Sequence, residues 1–579
     1  MLRKGKSDKK ASGGHVYSGR KDVRRINYLQ LLAGILIILA LNVIGSARFA
    51  RFDMTTERRY SLTDATKDML RGLDDVVYFR VYLEGSFPAG FRRLRNQTRE
   101  MLDEFRAYSD YIEFEFINPT RAGDREQISR TYEMLMDKGL EPTQLQVRGD
   151  DATSQQVIFP GALVSYGGKE APLKLLQDQM GIPPEEVLNN SAQALEYNIA
   201  SVIRQLTATE KEKVGFLEGQ GEYEHRYVAD ITQSLGRFYD VERVRINERY
   251  QNIEDFKTLI VADPVKPFSE EDKFILDQFL MNGGSLLWLV DPVFADMDSL
   301  RPPDYETIGM GWPINLDDML FNYGIRLNPD LLQDLNAAPI PVTTGYVGSR
   351  PQISLLPWHF FPLVSPASDH PIVKNLNLVR TEFVSSIDTV AAEDVDKTFL
   401  LHTSRNTRVL QTPTRIALDI LQNPPDERLF REGPKPVAAL LEGSFESVFR
   451  NRIPPEVDLP ADFKVRDKSE HTAMVVVADG DIIRNQFERG NEPLPLGYDR
   501  YSGENFGNKD FILNAVNYLT DDSGLIEARA KELRLRMLDK TRIGQNRLGV
   551  QILNLLLPVL LVFVFGVLRI FWRKRRYSR

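Results

Sequence analysis

Residues 258–292 read TLIVADPVKPFSEEDKFILDQFLMNGGSLLWLVDP, and this stretch decides the fold class. Two uncharged segments, Thr258–Ala262 and Ser285–Val290, enclose a segment with helical spacing that begins after Ser269 and stops at a glycine pair. Each uncharged segment is followed directly by Asp-Pro. Continuous apolar strands that alternate with helices are typical of a parallel sheet covered on both faces. The stretch therefore predicts an α/β fold with a doubly wound, mostly parallel sheet.

The same strand pattern recurs on both sides of this stretch and defines a larger domain. Further strands are predicted at Lys213–Leu217, Val241–Ile246, Thr398–His402, Val437–Glu442 and Thr472–Ala478. We expect a flavodoxin- or GATase-like domain over residues 212–524. Proline and glycine are frequent in parts of this domain, and such parts are predicted to be irregular insertions. They lie at about 300–370, 405–435 and 450–470.

Polar residues follow several of these strands at their C-terminal ends. Parallel strands end at one edge of a sheet, and open α/β sheets bind their ligands at that edge. We therefore predict a ligand-binding site composed of Gly219, Gln220, Gly221, Glu222, Asp263, Asp291, Asp479 and Asp481.

The glycine loop EGQGEYE (218–224) has two interpretations. A loop between a strand and a helix N-terminus presents free backbone N–H groups, which can bind a ligand. The loop is neither G-x-G-x-x-G nor a P-loop, and its carboxylates would repel a phosphate. It could equally be a tight turn in which Glu222 and Glu224 complement the dipole of the next helix. The sequence leaves both interpretations open.

Residues 52–208 follow a different pattern, with the predicted order β-α-β-α-β-β-α. A buried strand at Val76–Leu83 precedes a helix at Phe91–Tyr108, and the pair Gly167-Gly168 joins the last two strands as a hairpin turn. This order is typical of a thioredoxin-like domain. The chain contains no cysteine, so the redox chemistry of that fold is excluded and a binding or scaffolding role is expected.

Each end of the chain contains an uncharged segment long enough to cross a membrane. Twenty-two uncharged residues precede Arg48, and 21 precede Arg569. At ~1.5 Å per residue, each segment exceeds the ~30 Å thickness of the hydrocarbon core. We predict transmembrane helices at 28–47 and 548–572, the second preceded by a charged juxtamembrane helix at 525–547. Amides in a span usually face another helix rather than lipid, so three are expected to contact partner helices: Asn42, Gln551 and Asn554.

Basic flanking residues orient both spans. Residues 1–27 carry nine basic and two acidic residues, and residues 569–579 carry six basic and no acidic residues. Positive flanks stay in the cytoplasm. The tails at 1–27 and 573–579 are therefore predicted to be cytoplasmic, and the large region between the spans is predicted to be periplasmic, across a bacterial inner membrane.

Composition and motifs exclude several classes of function. The 579-residue chain has a net charge of −8 and no cysteine, which argues against a nucleic-acid binder and rules out zinc–thiolate and iron–sulfur sites. No P-loop is present, the six histidines show no H-E-x-x-H spacing, and there is no G-x-S-x-G motif. We therefore predict no catalytic residues, no bound metal and no cofactor.

Several stretches carry a resemblance to one family of membrane proteins. They are ERRYSLTDATKDML (57–70), VYLEGSFPAGFRRLRNQTREMLDEF (81–105), FINP (116–119), GFLEGQGE (215–222), LIVADP (259–264) and the segment from MVVVADGD to DDSGLIEAR (474–529). With the two terminal spans, the chain resembles the GldG-type, gliding-motility-associated auxiliary subunits of ABC transporters, within the broader family of ABC-type auxiliary transport proteins. That family often has GHGE where this chain has Gln220, which weakens a catalytic role for the loop.

The resemblance implies a non-enzymatic subunit that contacts an ABC permease through its transmembrane helices and works with a separate cytoplasmic ATPase. It also implies periplasmic partners in gliding motility or type 9 secretion, in a bacterium of the Bacteroidota type. Two alternatives remain open. The strand-end cleft could bind a glycan or peptide, or a carboxylate pair such as Glu222 with Asp263 could catalyse hydrolysis.

Overall fold

The structure is a computed structural model that describes most of the chain. The described residues are 28–40, 62–85, 87–120, 125–148, 153–177, 182–208, 210–300, 305–422, 425–452, 455–461, 463–488, 490–521, 524–525, 528 and 547–577. The chain divides into two compact units, residues 1–61 and 62–579.

The described part of the first unit is a single apolar helix, α1 (Tyr28–Ala40), whose large side chains are exposed. This helix lies within the predicted first span. The end of that span with Asn42, the N-terminal tail and most of the predicted juxtamembrane helix (525–547) lie outside the described residues.

The second unit begins with a four-stranded sheet in the order β2-β1-β5-β6. Strands β1 and β2 are parallel, whereas β5 is antiparallel to both β1 and β6. The predicted turn at Gly167-Gly168 joins β5 to β6, and both glycines have positive φ, as a tight hairpin turn requires. A separate hairpin, β3–β4, precedes β5. The bounds are β1 Val77–Val81, β2 Ile112–Phe116, β3 Thr143–Arg148, β4 Thr153–Ile158, β5 Gly161–Tyr166 and β6 Lys169–Lys174.

Five helices accompany this sheet, and apolar side chains of α2, α3, α5 and α6 share one core with it. Phe79 and Val81 of β1 meet Leu102 of α3 and Ile203 of α6 in that core, and all four side chains are fully buried. The helices are α2 Asp64–Arg71, α3 Ala89–Tyr108, α4 Arg125–Asp137, α5 Pro184–Gln193 and α6 Leu195–Thr207.

A ten-stranded sheet forms the larger part of the second unit, and one half of it is parallel. The parallel strands lie in the order β8-β7-β9-β10-β23, so their order of appearance in the chain is 2-1-3-4-5 across the sheet. This confirms the parallel strands predicted from residues 258–292. Their bounds are β7 Lys213–Glu218, β8 Asp240–Arg245, β9 Thr258–Ala262, β10 Ser285–Leu289 and β23 Thr472–Val477.

The other half of this sheet is antiparallel, so the prediction of a mostly parallel sheet is wrong. From β23 the sheet continues through β22, β19, β16 and β15, with β17 beside β16, and every one of these pairs is antiparallel. Strand β22 is as apolar and buried as the parallel strands, so its composition does not reveal its direction. The bounds are β15 Ala337–Val347, β16 Arg350–Pro366, β17 Val379–Arg380, β19 Val395–His402 and β22 Pro436–Gly443.

Strands β15 and β16 form a long hairpin where an irregular insertion was predicted. Proline is tolerated in strands only where its missing N–H is not needed. Pro339 lies opposite Pro357, and two prolines cannot exchange N–H···O bonds, so this is a non-hydrogen-bonded pair. The nitrogen of Pro339, and that of Pro341 two residues on, therefore faces the outer edge of the sheet. The prediction for 300–370 failed because these prolines lie on an edge strand.

Short strands and helices complete this unit. Strand β12 pairs with β11 and β21, β13 with β18, and β14 with β20, so part of the predicted insertion at 405–435 is also ordered. The described residues of 450–470 form only isolated bridges. The bounds are β11 Val293–Phe294, β12 Glu306–Gly311, β13 Ile325–Leu327, β14 Asp330–Asp334, β18 Ile387–Thr389, β20 Thr407–Gln411, β21 Thr414–Ala417, α7 Ala229–Leu235, α8 Glu270–Met281, α9 Asp317–Tyr323 and α10 Asn508–Thr520.

Helices cover both faces of the parallel half. Strand β10 shows this arrangement, because Trp288 packs in a core with Phe274 of α8 and Leu287 packs in the opposite core with Phe511 of α10. All four side chains are buried, and successive residues of a strand point to opposite faces. A doubly covered sheet leaves its strand ends as the place for a polar site.

The chain ends in a long apolar helix, α11 (Arg547–Tyr577). Within it, the 22-residue segment Asn554–Arg575 has the length and composition to cross a membrane, and it is the only such helix among the described residues. None of its most apolar window is buried in the protein. This exposure distinguishes α11 from a core helix.

Candidate functional site at the carboxyl edge of the parallel strands

The predicted polar residues lie just beyond the C-terminal ends of the parallel strands. The glycine loop follows β7, Asp263 follows β9, Asp291 lies two residues beyond β10, and Asp479 lies two residues beyond β23. The strand order reverses between β7 and β9, since β8 lies on one side of β7 and all the other parallel strands lie on the other. In open α/β sheets such a reversal opens a crevice at the carboxyl edge. The loop and Asp263 border that crevice.

The glycine loop is closed by its own carboxylate. The N–H groups of Gly219 and Gln220 both donate to Glu222 Oε2, at 2.9 Å each. Gly221 has a φ of +86°, and a Cβ at this position would lie 2.5 Å from Cγ2 of Val265. Glycine is therefore required both by the backbone conformation and by the close approach. These two N–H groups are used within the loop, which supports the tight-turn interpretation.

Glu222 and Glu224 have different environments. Glu222 is buried, and burial raises the pKa of its carboxyl despite the hydrogen bonds from the loop N–H groups. Glu224 is exposed and lies 3.4 Å from Arg226. Only Glu222 therefore contributes to the interior of the loop.

Gln220 connects the loop to helix α8. Its side-chain Nε2 donates to Asp272 Oδ2 at 2.8 Å. Its backbone carbonyl oxygen accepts from the N–H groups of Val265 and Lys266 at 2.9 and 2.7 Å. Asp272 lies in the first turn of α8, after Ser269, whose Oγ accepts from Asp272 N. The sequence pointed to Gln220 but not to Asp272, because an acidic residue in a first helical turn is ordinarily explained by the helix dipole.

The structure brings the four predicted aspartates together around Gly480. Asp291 Oδ1 accepts from the Gly480 N–H at 2.5 Å, and a Cβ on Gly480 would lie 2.7 Å from Asp263 Oδ1. Asp479 and Asp481 flank this glycine in the sequence. Asp479 Oδ2 accepts from the backbone N–H of Glu382 at 2.9 Å. The four carboxyl groups form a cluster, which we call the acidic cluster.

The sequence analysis missed four residues around the acidic cluster, Arg380, Glu382, Arg484 and Tyr223, and of these Arg484 neutralises part of its charge. Arg484 lies 3.0 Å from Asp481 and 2.8 Å from Glu382, and Arg380 lies 2.6 Å from Glu382. The Tyr223 hydroxyl donates to Asp481. Arg484 is three residues beyond Asp481, which was the available local signal, whereas Glu382 is about 100 residues away and gives none.

Burial and mutual repulsion favour protonated carboxyl groups in the acidic cluster. Burial, together with the neighbouring carboxylates, raises the pKa of Asp291 and of Asp479 well above the ordinary range. Burial also raises the pKa of Asp263, and it raises that of Asp481 to about 7 although Arg484 opposes this. Burial opposes ionisation of Glu382 too, but Arg380 and Arg484 outweigh it and lower the pKa.

The chemistry available to the acidic cluster is proton storage and the binding of positive charge. Burial and the neighbouring carboxylates favour the protonated form of Asp291 and of Asp479, while the pKa of Asp481 is about 7. In the part of the chain that the structure describes, no group of three or more His, Cys, Asp or Glu side chains is arranged to hold a metal ion. Arg484 supplies positive charge to the cluster through its ion pair with Asp481.

A second polar site is a cleft of ≈ 270 Å³ between the residues around β6 and α6 and those around α10. Tyr197, Phe238 and Phe506 contribute aromatic surface to its walls. The other notable feature is a set of six asparagines that line the cleft: Asn198, Asn375, Asn377, Asn505, Asn514 and Asn517.

The predicted membrane amides are only partly described. Asn554 is the first residue of the apolar segment of α11, and its side chain is exposed. Gln551 lies in the same helix, its side chain outside the described part, and Asn42 is outside it altogether. Their contacts with partner helices remain a prediction.

The fold and the exposed terminal helix define a membrane-associated α/β protein. Residues 211–515, just over half of the chain, match the profile of the family described as "ABC-type uncharacterized transport system". The chain belongs to this family, and membership implies association with an ABC transporter complex. Residues 56–165 match a second profile, described as a domain of unknown function (DUF7088).

Individual similar proteins are distant. A Borreliella burgdorferi protein described as uncharacterized is 19% identical over 559 residues, which covers 95% of this chain and 98% of that protein. Among solved structures, the mmIFT52 N-terminal domain aligns with 53% of this chain and 97% of its own, at 12% identity and a TM-score of 0.30.

Proposed function

We propose that this protein is a non-enzymatic, membrane-anchored auxiliary subunit of an ABC transporter complex. The observation that carries the proposal is helix α11, whose 22-residue apolar segment is exposed in a chain of a transport-system family. The 21 uncharged residues 548–568 of this helix span ~32 Å at ~1.5 Å per residue, enough for the ~30 Å hydrocarbon core. The chain has no P-loop, so ATP hydrolysis would come from a separate subunit.

The proposal includes two anchors, with both termini in the cytoplasm of a bacterial cell. The first anchor would span 28–47, of which the apolar helix α1 forms the described part, and the second would span 548–572. The basic tails support this orientation, because positive flanks are retained in the cytoplasm. Residues 52–524 would then form a periplasmic ectodomain at the inner membrane.

We further propose two domains within the ectodomain. The order β2-β1-β5-β6, with β1 and β2 parallel and the last two strands antiparallel, supports a thioredoxin-like domain at 52–208. The 2-1-3-4-5 order of the parallel strands supports a flavodoxin-like half in the domain at 212–524. The separate apolar core of the first sheet also supports this division.

The proposed partners are an ABC permease, reached through the transmembrane helices, and a cytoplasmic ATPase. Periplasmic proteins of gliding motility or type 9 secretion in a Bacteroidota cell are the proposed partners of the ectodomain, on the basis of the family resemblance. Asn554 supports a helix contact, because it lies inside the proposed span 548–572, where an amide is better satisfied by another helix than by lipid.

Affinity purification from native membranes tests the proposal. We expect the tagged full chain to bring down a polytopic permease and an ATP-binding subunit. Asn554→Leu should weaken the recovery of the permease, whereas Val562→Leu, an apolar exchange in the same helix, should not. Recovery of the wild-type chain without either partner would refute the proposal.

A ligand-binding function is the second candidate, and the asparagine-lined cleft favours it. Each amide has two donor hydrogens and two acceptor lone pairs, so Asn198, Asn514 and Asn517, which already form hydrogen bonds within the protein, keep some capacity for hydroxyl or peptide groups, and the aromatic walls offer apolar contact. A glycan or a peptide is the ligand class that suits such walls. Calorimetry with envelope glycan fragments and the full chain tests this candidate, and Asn198→Leu should reduce any binding.

A further inference from the structure

Three oxygen acceptors at the junction of the glycine loop and helix α8 have no hydrogen-bond donor within the described residues. They are Gln220 Oε1, Glu222 Oε1 and Asp272 Oδ1. Gln220 and Glu222 are only 9% exposed, so bulk water does not solvate these atoms freely. Buried polar atoms in folded proteins almost always have a partner, which can be a bound water or ion. These three atoms therefore require an explanation.

The three acceptors belong to one hydrogen-bonded network. Glu222 Oε2 is held by the Gly219 and Gln220 N–H groups, and Gln220 Nε2 is held by Asp272 Oδ2. In each of the three side chains, one terminal atom is fixed and the other is left without a partner. The side chains are thus positioned in advance, as the ligands of a binding site must be.

The charges around the network leave it negative. Glu222 faces Arg243, whose Nε and Nη2 are bound by Glu218 and by the Tyr223 carbonyl oxygen and whose Nη1 has no hydrogen-bond partner within the described residues; this one guanidinium is shared by the carboxylates of Glu218 and Glu222. The side chain of Ser269 and the backbone N–H of Glu248 stabilise the Asp272 carboxylate, whereas the Glu248 carboxylate repels it. Burial raises the pKa of Glu222 and of Asp272, as expected for carboxylates without sufficient counter-charge. The side chain of Lys266 also lies near Gly221, but Lys266 is exposed to solvent.

The network lies at the point where the strand order reverses. The loop follows β7, and α8 follows β9 after a short connection, so the three acceptors belong to the two segments that border the crevice. This is the place at which open α/β sheets bind ligands. The acceptors are separate from the acidic cluster, since none of its aspartates contributes to them.

We propose that Gln220, Glu222 and Asp272 bind a hard divalent cation, with Ca²⁺ as the best match. Two carboxylate oxygens and one amide oxygen form an oxygen-only ligand set, which Ca²⁺ accepts in flexible geometry, with water completing the shell. The cation would neutralise the two carboxylates and tie the loop to α8. This site extends beyond the auxiliary-subunit function and does not depend on it.

Calorimetric titration of CaCl₂ into chelator-treated full chain in detergent micelles tests the proposal. We expect one Ca²⁺ per chain, and a rise of the melting temperature with Ca²⁺ concentration, because a ligand that binds only the native state stabilises it. Asp272→Asn and Glu222→Gln should weaken binding by at least tenfold. The matched control is Glu224→Gln, which removes the exposed neighbouring carboxylate and should bind Ca²⁺ as the wild type does.

Two results would overturn the proposal. One is the absence of both heat and stabilisation with Ca²⁺ and with Mg²⁺ at millimolar concentration, which would mean that water occupies the site. The other is unchanged affinity in Asp272→Asn. Glu222→Gln alone is not decisive, because Glu222 also holds the loop N–H groups. Asp272→Asn retains an oxygen for Gln220 Nε2 and therefore separates the loss of the cation from the loss of the fold.

Discussion

Gly480 determines how closely the acidic cluster can assemble. Its backbone φ is ordinary, at −74°, so glycine is not required here for conformational freedom. The requirement is space, because a Cβ would meet Asp263 on one side while the Gly480 N–H donates to Asp291. A residue without a side chain thus lets the backbone serve as a hydrogen-bond donor inside a group of carboxyls.

Gly480→Ala should destabilise the protein by ~1–3 kcal/mol, the usual cost of overpacking a tight site. The added methyl group would lie 2.7 Å from Asp263 Oδ1 and must displace it. Gly345→Ala is the control, since its nearest neighbour outside the adjoining residues would be 3.8 Å away. Chemical denaturation of the full chain measures both, and equal stability of the two variants would contradict the packing argument.

Asp481 should make stability decrease as the pH rises. Its pKa is about 7 in the folded protein against 3.8 for the free side chain, so between about pH 4 and 7 the native state holds a proton that the unfolded state has lost. Stability then falls with rising pH by up to ~1.4 kcal/mol per unit. Asp481→Asn cannot ionise, so it should remove the contribution of Asp481 and reduce the slope, whereas the other carboxyls with raised pKa values keep their contributions.

Denaturation at pH 4.5, 5.5, 6.5 and 7.5 measures the slope for wild type and variant. Asp394→Asn is a suitable control, because the ion pair with Lys468 lowers the pKa of Asp394. The contribution of such a group is lost only as the pH falls through that lowered value, below the window used. Parallel curves for wild type and Asp481→Asn would contradict the assignment.

Strand β16 begins in the exposed turn end of the β15–β16 hairpin, residues 343–357, which we call the arm, and continues into a buried core. Trp358 is fully buried, whereas Ile353 is 63% and Tyr346 on β15 is 73% exposed. Over residues 337–366, Arg350 is the only Asp, Glu, Lys or Arg residue, although these four types make up 27% of the whole chain. Such an apolar, protruding hairpin is typical of a protein-interaction element.

Two substitutions on β16 should therefore have different effects. Trp358→Ala should cost ~3–5 kcal/mol, because it opens a cavity in a packed core. Ile353→Ala, five residues earlier, should change stability by less than ~0.5 kcal/mol, as exposed sites usually do. Thermal melts of the full chain measure both. A large loss in Ile353→Ala would show that the arm packs against the body of the protein.

The elements that could be predicted from sequence were those whose burial fixes the residue pattern. Strands β9 and β10 are buried on both faces, so their uncharged runs were unambiguous. Strand direction was not predictable, since β22 is also largely apolar and buried although it is antiparallel to its neighbours. The prolines of β15 suggested a loop because local sequence does not reveal that a strand will be at an edge.

The candidate site was predictable to a similar extent. The aspartates after β9, β10 and β23 could be placed at one edge because parallel strands end together. Glu382 and Asp272 could not be placed there, since a loop and an ordinary helix N-terminus bring them to the edge. Tertiary contacts between distant segments leave no periodic signal in the sequence.

At the scale of the whole molecule, the absence of cysteine makes the proposed topology easy to test. A single introduced cysteine will be the only thiol in the chain. Ser349→Cys places it at the exposed tip of the arm. A membrane-impermeant maleimide should label it in cells with a permeabilised outer membrane. Ser7→Cys and Ser578→Cys in the tails should react only after lysis, and labelling of either while the inner membrane is intact would contradict cytoplasmic termini.

The position of β23 between β10 and β22 has a consequence for how the chain is made. Strand β10 ends at Leu289, but its partner begins at Thr472, roughly 180 residues later. At ~5–20 residues per second, synthesis of that interval takes roughly 10–40 s. Throughout this time the apolar edge of β10 is unpaired, which exposes the nascent chain to aggregation. The protein should therefore depend on holding chaperones during its synthesis, and a chain truncated before residue 472 would lack both the closing strand and half of the acidic cluster.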